Sequence, residues 1–151
     1  MKITAQEENG LRILLEIATS KKNDGITIPE ISEATGLTSH NVAKLCRILR
    51  LADFIASTRG HTGGYMLAHP AEQIKLLDIL DELGGRLYDD HFCESRSGET
   101  ETCSASDSCS VRSLWQVLQS AVDSVLQNMT LRDLFPATKM IPVHQVTYSG
   151  K

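Results

Sequence analysis

Along most of this 151-residue chain, apolar positions recur every three or four residues, the period of an amphipathic helix. Leu11, Leu14, Leu15 and Ala18 predict a first helix from about Ala5 to Ser20. Thr4, with Glu7 three residues later, has the spacing of a capping box at its start. Lys21-Lys-Asn-Asp-Gly25 breaks the pattern. Thr27-Ile-Pro-Glu30 repeats the capping signal, with proline in the first turn, where its missing N–H is no loss. Ile31 and Ala34 then supply the apolar side of a short second helix that Gly36 ends. Thr38 caps a third helix with Val42, Leu45, Ile48, Leu49 and Ala52 on one side. Its other side carries Ser39, His40, Asn41, Lys44 and Arg47. Two short helices joined by a tight glycine turn have the form of a helix-turn-helix.

The period then changes. Phe54–Arg59 has strand character, Gly60–Gly64 is a turn, and Tyr65–Leu67 returns as a second strand. A hairpin in that position is a wing, and Arg59 at its base is suited to a narrow minor groove. Pro70 opens a fourth helix through Ile74, Leu77, Ile79, Leu80 and Leu83, stopped by Gly84-Gly85. A long helix from about Ser110 to Asn128 carries Val111, Leu114, Trp115, Leu118, Val122, Val125, Leu126 and Met129 as one apolar stripe. A stripe so wide predicts packing on a second copy of the chain; the alternative is packing back on its own domain. Thr130-Leu-Arg-Asp133 caps one more short helix. The expected architecture is mainly α with a small β-hairpin wing: a winged helix-turn-helix domain plus a long dimerisation helix. Residues 1–84 form the DNA-binding domain with its linker helix and 85–110 a polar loop. Residues 111–135 hold the dimerisation helix and the short helix after it, and 136–151 a tail without clear period.

Charge sharpens the picture. The net charge is −4, but residues 1–70 carry 8 Lys/Arg against 7 Asp/Glu, whereas residues 71–151 carry 7 against 12. Lys44, Arg47 and Arg50 lie in a stretch with no acid between Glu33 and Asp53. One basic face matters more to DNA than the whole-chain charge. No apolar run is long enough to span a membrane, and the acidic N-terminus lacks a signal-peptide core, so a cytoplasmic protein with reduced thiols is expected. No nucleophile–base pair or phosphate-cradling glycine loop points to an enzyme. Three of the four cysteines, Cys93, Cys103 and Cys109, share one polar run. The fourth, Cys46, sits among apolar residues of the third helix and reads as a small buried hydrophobe.

Arg59-Gly-His-Thr-Gly-Gly-Tyr-Met-Leu-Ala68, followed by Ile74-Lys-Leu-Leu-Asp-Ile79, resembles the wing-and-linker signature of the Rrf2 family of bacterial winged-helix regulators. That group includes the iron–sulfur cluster assembly regulator, the nitric-oxide-sensitive repressor and the rhizobial iron regulator. The resemblance runs from Met1 to Leu134. It implies a homodimeric repressor on a pseudo-palindromic double-stranded DNA operator. Thr38, Ser39, His40, Asn41, Lys44 and Arg47 would enter the major groove, and Arg59, Gly60 and His61 would reach the minor groove.

In cluster-binding relatives, three cysteines lie between the linker and dimerisation helices, and Cys93, Cys103 and Cys109 match that placement. The spacer from Cys93 to Cys103 is longer than usual, which loop closure tolerates. The assembly regulators take a histidine as fourth ligand three residues after the last cysteine; here that position is Arg112, which has no lone pair to offer. Other relatives use an acid near the start of the first helix of the partner subunit. Glu7 serves the capping box, so Glu8 is the candidate, with His91 as second choice. The departure from the histidine-ligated pattern puts a [2Fe–2S] cluster of that kind in doubt, so the resemblance implies [4Fe–4S] in preference, sensing iron, redox state or nitric oxide. The other readings of the three cysteines are a zinc site and a thiol–disulfide switch. An iron–sulfur carrier is the reading from another class, although it leaves the helix-turn-helix unexplained.

Overall fold

The computed structural model describes residues 3–58, 63–86, 88 and 110–135. Three helices come first: α1 (Ala5–Thr19), α2 (Ile28–Thr35) and α3 (Ser39–Leu51). A two-stranded antiparallel hairpin, β1 (Ile55–Ser57) and β2 (Tyr65–Leu67), follows, with Ile55 opposite Leu67 and Ser57 opposite Tyr65. Then come α4 (Leu76–Leu83), α5 (Ser110–Leu126) and a 3-10 turn, Leu131–Leu134. This is the mainly α architecture with a small hairpin wing that the sequence predicts.

The local signals fold as their chemistry dictates. Thr4 Oγ1 accepts from the Glu7 amide, and the Glu7 carboxylate accepts from the Thr4 amide at 2.6 Å. At α2, the Glu30 carboxylate reaches back to accept from both the amide and the hydroxyl of Thr27, each at 2.9 Å. Gly36 turns the chain between α2 and α3 with φ of +72°, a left-handed conformation that glycine adopts without strain. Arg12 of α1 donates to the Thr35 carbonyl at 2.8 Å, placing a cation at the carboxyl end of α2.

The core joins Ile13, Leu14 and Ile17 of α1 to Ile31, Val42, Leu45, Cys46, Leu49, Ile55, Ile79 and Leu131. Several expectations shift here. On α1, Ile13 and Ile17 are the deepest residues beside Leu14, whereas Leu11, Leu15 and Ala18 are only partly buried. On α2, Ala34 is exposed and Thr35 is buried, its hydroxyl donating to the Ile31 carbonyl at 2.6 Å. The fourth helix begins at Leu76, not Pro70. Residues 71–73 form only a turn, with Gln73 N donating to Pro70 O at 2.8 Å, and Lys75 is extended where the chain pairs with the segment after α5: Leu131 N donates to Ile74 O at 2.8 Å and Leu76 N to Met129 O at 3.0 Å. An antiparallel bridge between Lys75 and Thr130 lies between these bonds.

The single apolar stripe expected on α5 divides into two faces. Trp115, Val122, Leu126 and Met129 are partly buried, and Gln119 is buried on the same side. Val111, Leu114, Leu118 and Val125 remain 58, 55, 39 and 45% exposed on the other. The stripe therefore serves its own domain with one edge and leaves the second uncovered. Among the described residues, no helix is long and apolar enough to cross a membrane.

Candidate nucleic-acid interface and the cysteine segment

The α3 helix divides as a recognition helix must. Val42, Leu45, Cys46 and Leu49 are buried against the domain, and Thr38, Ser39, His40, Asn41, Lys44 and Arg47 are all exposed. Thr38 also has a structural duty, since its hydroxyl accepts from the Asn41 amide at 3.3 Å. The turn beneath is stiffened by Ser32, whose hydroxyl donates to the Leu37 carbonyl at 2.5 Å. Cys46 is fully buried, and desolvation pushes its thiol up to about 11, which removes it from nucleophilic or ligand chemistry.

The wing is anchored by contacts that the strand pattern does not reveal. Ile26, between α1 and α2, forms an antiparallel bridge with Tyr65, with N–O distances of 2.8 and 2.9 Å. Gly64 makes this approach possible: a Cβ there would lie 2.9 Å from the Gly25 carbonyl carbon and 3.0 Å from the Ile26 nitrogen. Thr58 closes the hairpin base, its hydroxyl donating to the Asp24 carbonyl and accepting from the Gly64 amide, both at 2.8 Å. Thr58 was hidden within a stretch read only as strand. The wing residues Arg59, Gly60 and His61 lie outside the described residues.

Cys93, Cys103, Cys109 and His91 also lie outside the described residues. Before them, Arg86 and Tyr88 are each bonded to α5. Arg86 pairs with Asp81 of α4 at 3.2 Å and with Asp123 of α5. Gln119 accepts from the Tyr88 amide at 3.1 Å and donates to Asp123 at 2.7 Å. These bonds explain why a glutamine is the one buried residue of α5 among those described. Glu8 is exposed in the first turn of α1 and takes no part in the capping box, which uses Glu7. Among the described residues, no group of three or more His, Cys, Asp or Glu side chains is arranged to hold a metal ion.

A helix-turn-helix with an exposed polar recognition face and a hairpin wing defines a winged-helix DNA-binding regulator. The chain belongs to the Rrf2 family, described as iron-dependent transcriptional regulators, whose family model matches residues 3–137. It is a transcriptional regulator, not an enzyme. It is 32% identical over 145 residues to the protein rrf2 of Nitratidesulfovibrio vulgaris, covering 94% of this chain and 92% of that one. It is 26% identical to the HTH-type transcriptional regulator IscR of Cronobacter sakazakii, covering 95% of this chain and 85% of the relative. Among solved structures, CymR, the global cysteine regulator of B. subtilis, superposes with a TM-score of 0.67 at 30% identity, covering 89% of this chain and 95% of CymR. T. potens IscR superposes with a TM-score of 0.68 at 25% identity, covering 88% and 85%.

Proposed function

We propose that this regulator is a homodimeric repressor that binds a pseudo-palindromic operator and carries an iron–sulfur cluster, [4Fe–4S] in preference to [2Fe–2S]. Cys93, Cys103 and Cys109 are its thiolate ligands, and the fourth is Glu8 of the partner subunit. The cluster makes the DNA-bound state responsive to iron, redox state or nitric oxide.

The observation that carries this reading is where the cysteine segment starts and ends. It starts beyond Tyr88, tied to Gln119 near the middle of α5, and ends where α5 begins at Ser110. Along a helix those two points are about 14 Å apart, whereas residues 89–109 could span roughly 70 Å extended. The segment has ample slack to bring three thiols together. The donor set suits the group: three soft thiolates, with a solvent-exposed carboxylate as a weaker fourth ligand. Arg112 cannot fill that place. Pairing of two copies is supported by the uncovered face of α5, on which Val111, Leu118 and Val125 repeat at a seven-residue spacing with Leu114 beside them. On α3, the side chains of His40, Asn41, Lys44 and Arg47 are exposed and available to base edges and phosphates.

Anaerobic purification with iron and sulfide counting, absorption spectra and gel shifts on genomic fragments tests the reading. The expected result is sequence-selective binding and iron and acid-labile sulfide in equal amounts, about four of each per protomer. Glu8→Ala should change the absorption spectrum or the reactivity of the cluster. Zinc in place of iron, or an iron-free protein that binds DNA selectively, refutes it. The likeness to CymR, a global cysteine regulator, favours the latter as the second reading: a cluster-free regulator that answers through its thiols.

A further inference from the structure

Between the first turns of α1 and the exposed flank of α3 lies a notch of about 200 Å³. Ala5, Gln6 and Asn9 form one wall; Asn41, Lys44 and Leu45 form the other. Asn41 and Lys44 belong to the recognition surface, so the notch is continuous with it, yet α1 has no part in the helix-turn-helix itself. The side chains of Asn9, Asn41 and Lys44 make no hydrogen bond or ion pair among the described residues. Gln6 is fixed in place because its Nε2 donates to the Leu83 carbonyl at 2.5 Å.

The notch is lined with donors and no acids. Glu7 is drawn away to the Thr4 amide and lies against Gly84. Glu8 projects about 100° from Asn9 around the helix and does not line the notch. An ammonium group and two carboxamides, without partners among the described residues and lining one recess, suit the oxygens of a phosphate diester. A recognition helix seated in a major groove runs between two such backbones, and phosphate contacts from a neighbouring element fix its depth and rotation.

We propose that the notch seats one phosphate of the DNA backbone in each half-site, with Lys44 supplying the charge and Asn9 acting as a positioning residue outside the helix-turn-helix. This rests on the DNA-binding reading of α3. Asn9 contributes affinity and register but reads no base. The DNA footprint thus extends onto α1, the helix that also carries Glu8.

The test measures full-length protein against an operator fragment and a scrambled fragment over a salt series. Asn9→Ala weakens both equally, by about ten- to a hundredfold, the loss of one hydrogen bond in each half-site, with the salt dependence unchanged. Asn9→Asp weakens both further through like-charge repulsion, and Asn9→Gln, which keeps the amide, stays close to wild type. Lys44→Gln lowers the slope of log affinity against log salt by about 1.8, one phosphate contact in each of the two half-sites. A methylphosphonate at a single position per half-site abolishes the difference between wild type and Asn9→Ala. Thermal melting shows that each variant is folded, and Asn9→Asp against Asn9→Gln carries the comparison if Asn9→Ala is not. Unchanged binding by Asn9→Ala and Asn9→Asp, altered base preference, or no methylphosphonate position that removes the difference overturns the proposal. Absence of operator preference in wild type is a separate result: it refutes the DNA-binding reading and the proposal with it.

Discussion

Gly64→Ala tests the anchoring of the wing with one methyl group. The added Cβ would meet the Gly25 carbonyl carbon at 2.9 Å, Ile26 N at 3.0 Å and Ile26 O at 3.1 Å. All three are backbone atoms, so no side chain can swing aside, and relief requires moving β2 away from residues 25–26. That movement sacrifices the paired bonds Ile26 N to Tyr65 O at 2.9 Å and Tyr65 N to Ile26 O at 2.8 Å. Overpacking costs about 1–3 kcal/mol and each lost bond about 1 kcal/mol. Because relief of one contributes to loss of the other, a total of about 2–4 kcal/mol is expected, large beside a stability of ~5–15 kcal/mol. Gly36→Ala is the control: its φ is +72° but nothing lies within 4 Å of the new Cβ, so only backbone strain of about 1–2 kcal/mol applies. Urea unfolding of both variants gives the two values, and melting should drop by roughly 4–16 °C for Gly64→Ala. Gel shifts on the folded fraction should show weaker DNA binding for Gly64→Ala as well. A Gly64→Ala protein within ~0.5 kcal/mol of wild type, or more stable than Gly36→Ala, would refute the close approach at the wing base.

Other consequences can be measured directly. Burial holds the Cys46 thiol up at about 11 against an ordinary 9.0, so iodoacetamide at pH 8 should spare it in the native protein and label it only in denaturant; labelling at the rate of a free thiol contradicts its burial. With its pKa raised on folding, the thiol's contribution to stability is complete below pH 9 and disappears as pH rises towards about 11. The hydrogen bond from Lys22, followed by those from the Thr27 amide and hydroxyl, holds Glu30 down to about 2 from 4.5. Its stabilisation is therefore present above pH 4.5 and is lost as pH falls to about 2, and a carboxyl NMR titration should move upward in Lys22→Ala; no movement refutes the pairing. Leu118→Glu, placed on the uncovered face of α5, should convert a dimer to a folded monomer by light scattering and weaken operator binding by more than about tenfold. A variant that stays dimeric excludes that face as the interface.

Whatever is built from neighbours within four residues could be read along the chain. The caps of Thr4 with Glu7 and Thr27 with Glu30, the glycine turn at Gly36, and the division of α3 into an apolar and a polar side are all local. One turn of helix contains all the atoms concerned. The recognition surface was legible for the same reason, because Ser39, His40, Asn41, Lys44 and Arg47 follow from the helical period once Val42, Leu45 and Leu49 are turned inward. The remainder depends on contacts between segments far apart in the chain. Pro70 looks like a helix start until Ile74 and Leu76 are required as partners for Leu131 and Met129, more than fifty residues away. Thr35 and Gln119 look like surface residues until burial supplies partners for their polar atoms. The stripe on α5 has no visible seam in sequence, since every position in it is apolar; the seam is drawn by where the domain ends. Asn9 and Lys44 have no relation along the chain at all. Only the packing of α1 across α3 sets them on facing walls of one notch, because a contact between distant segments is a property of how helices stack and not of either helix alone.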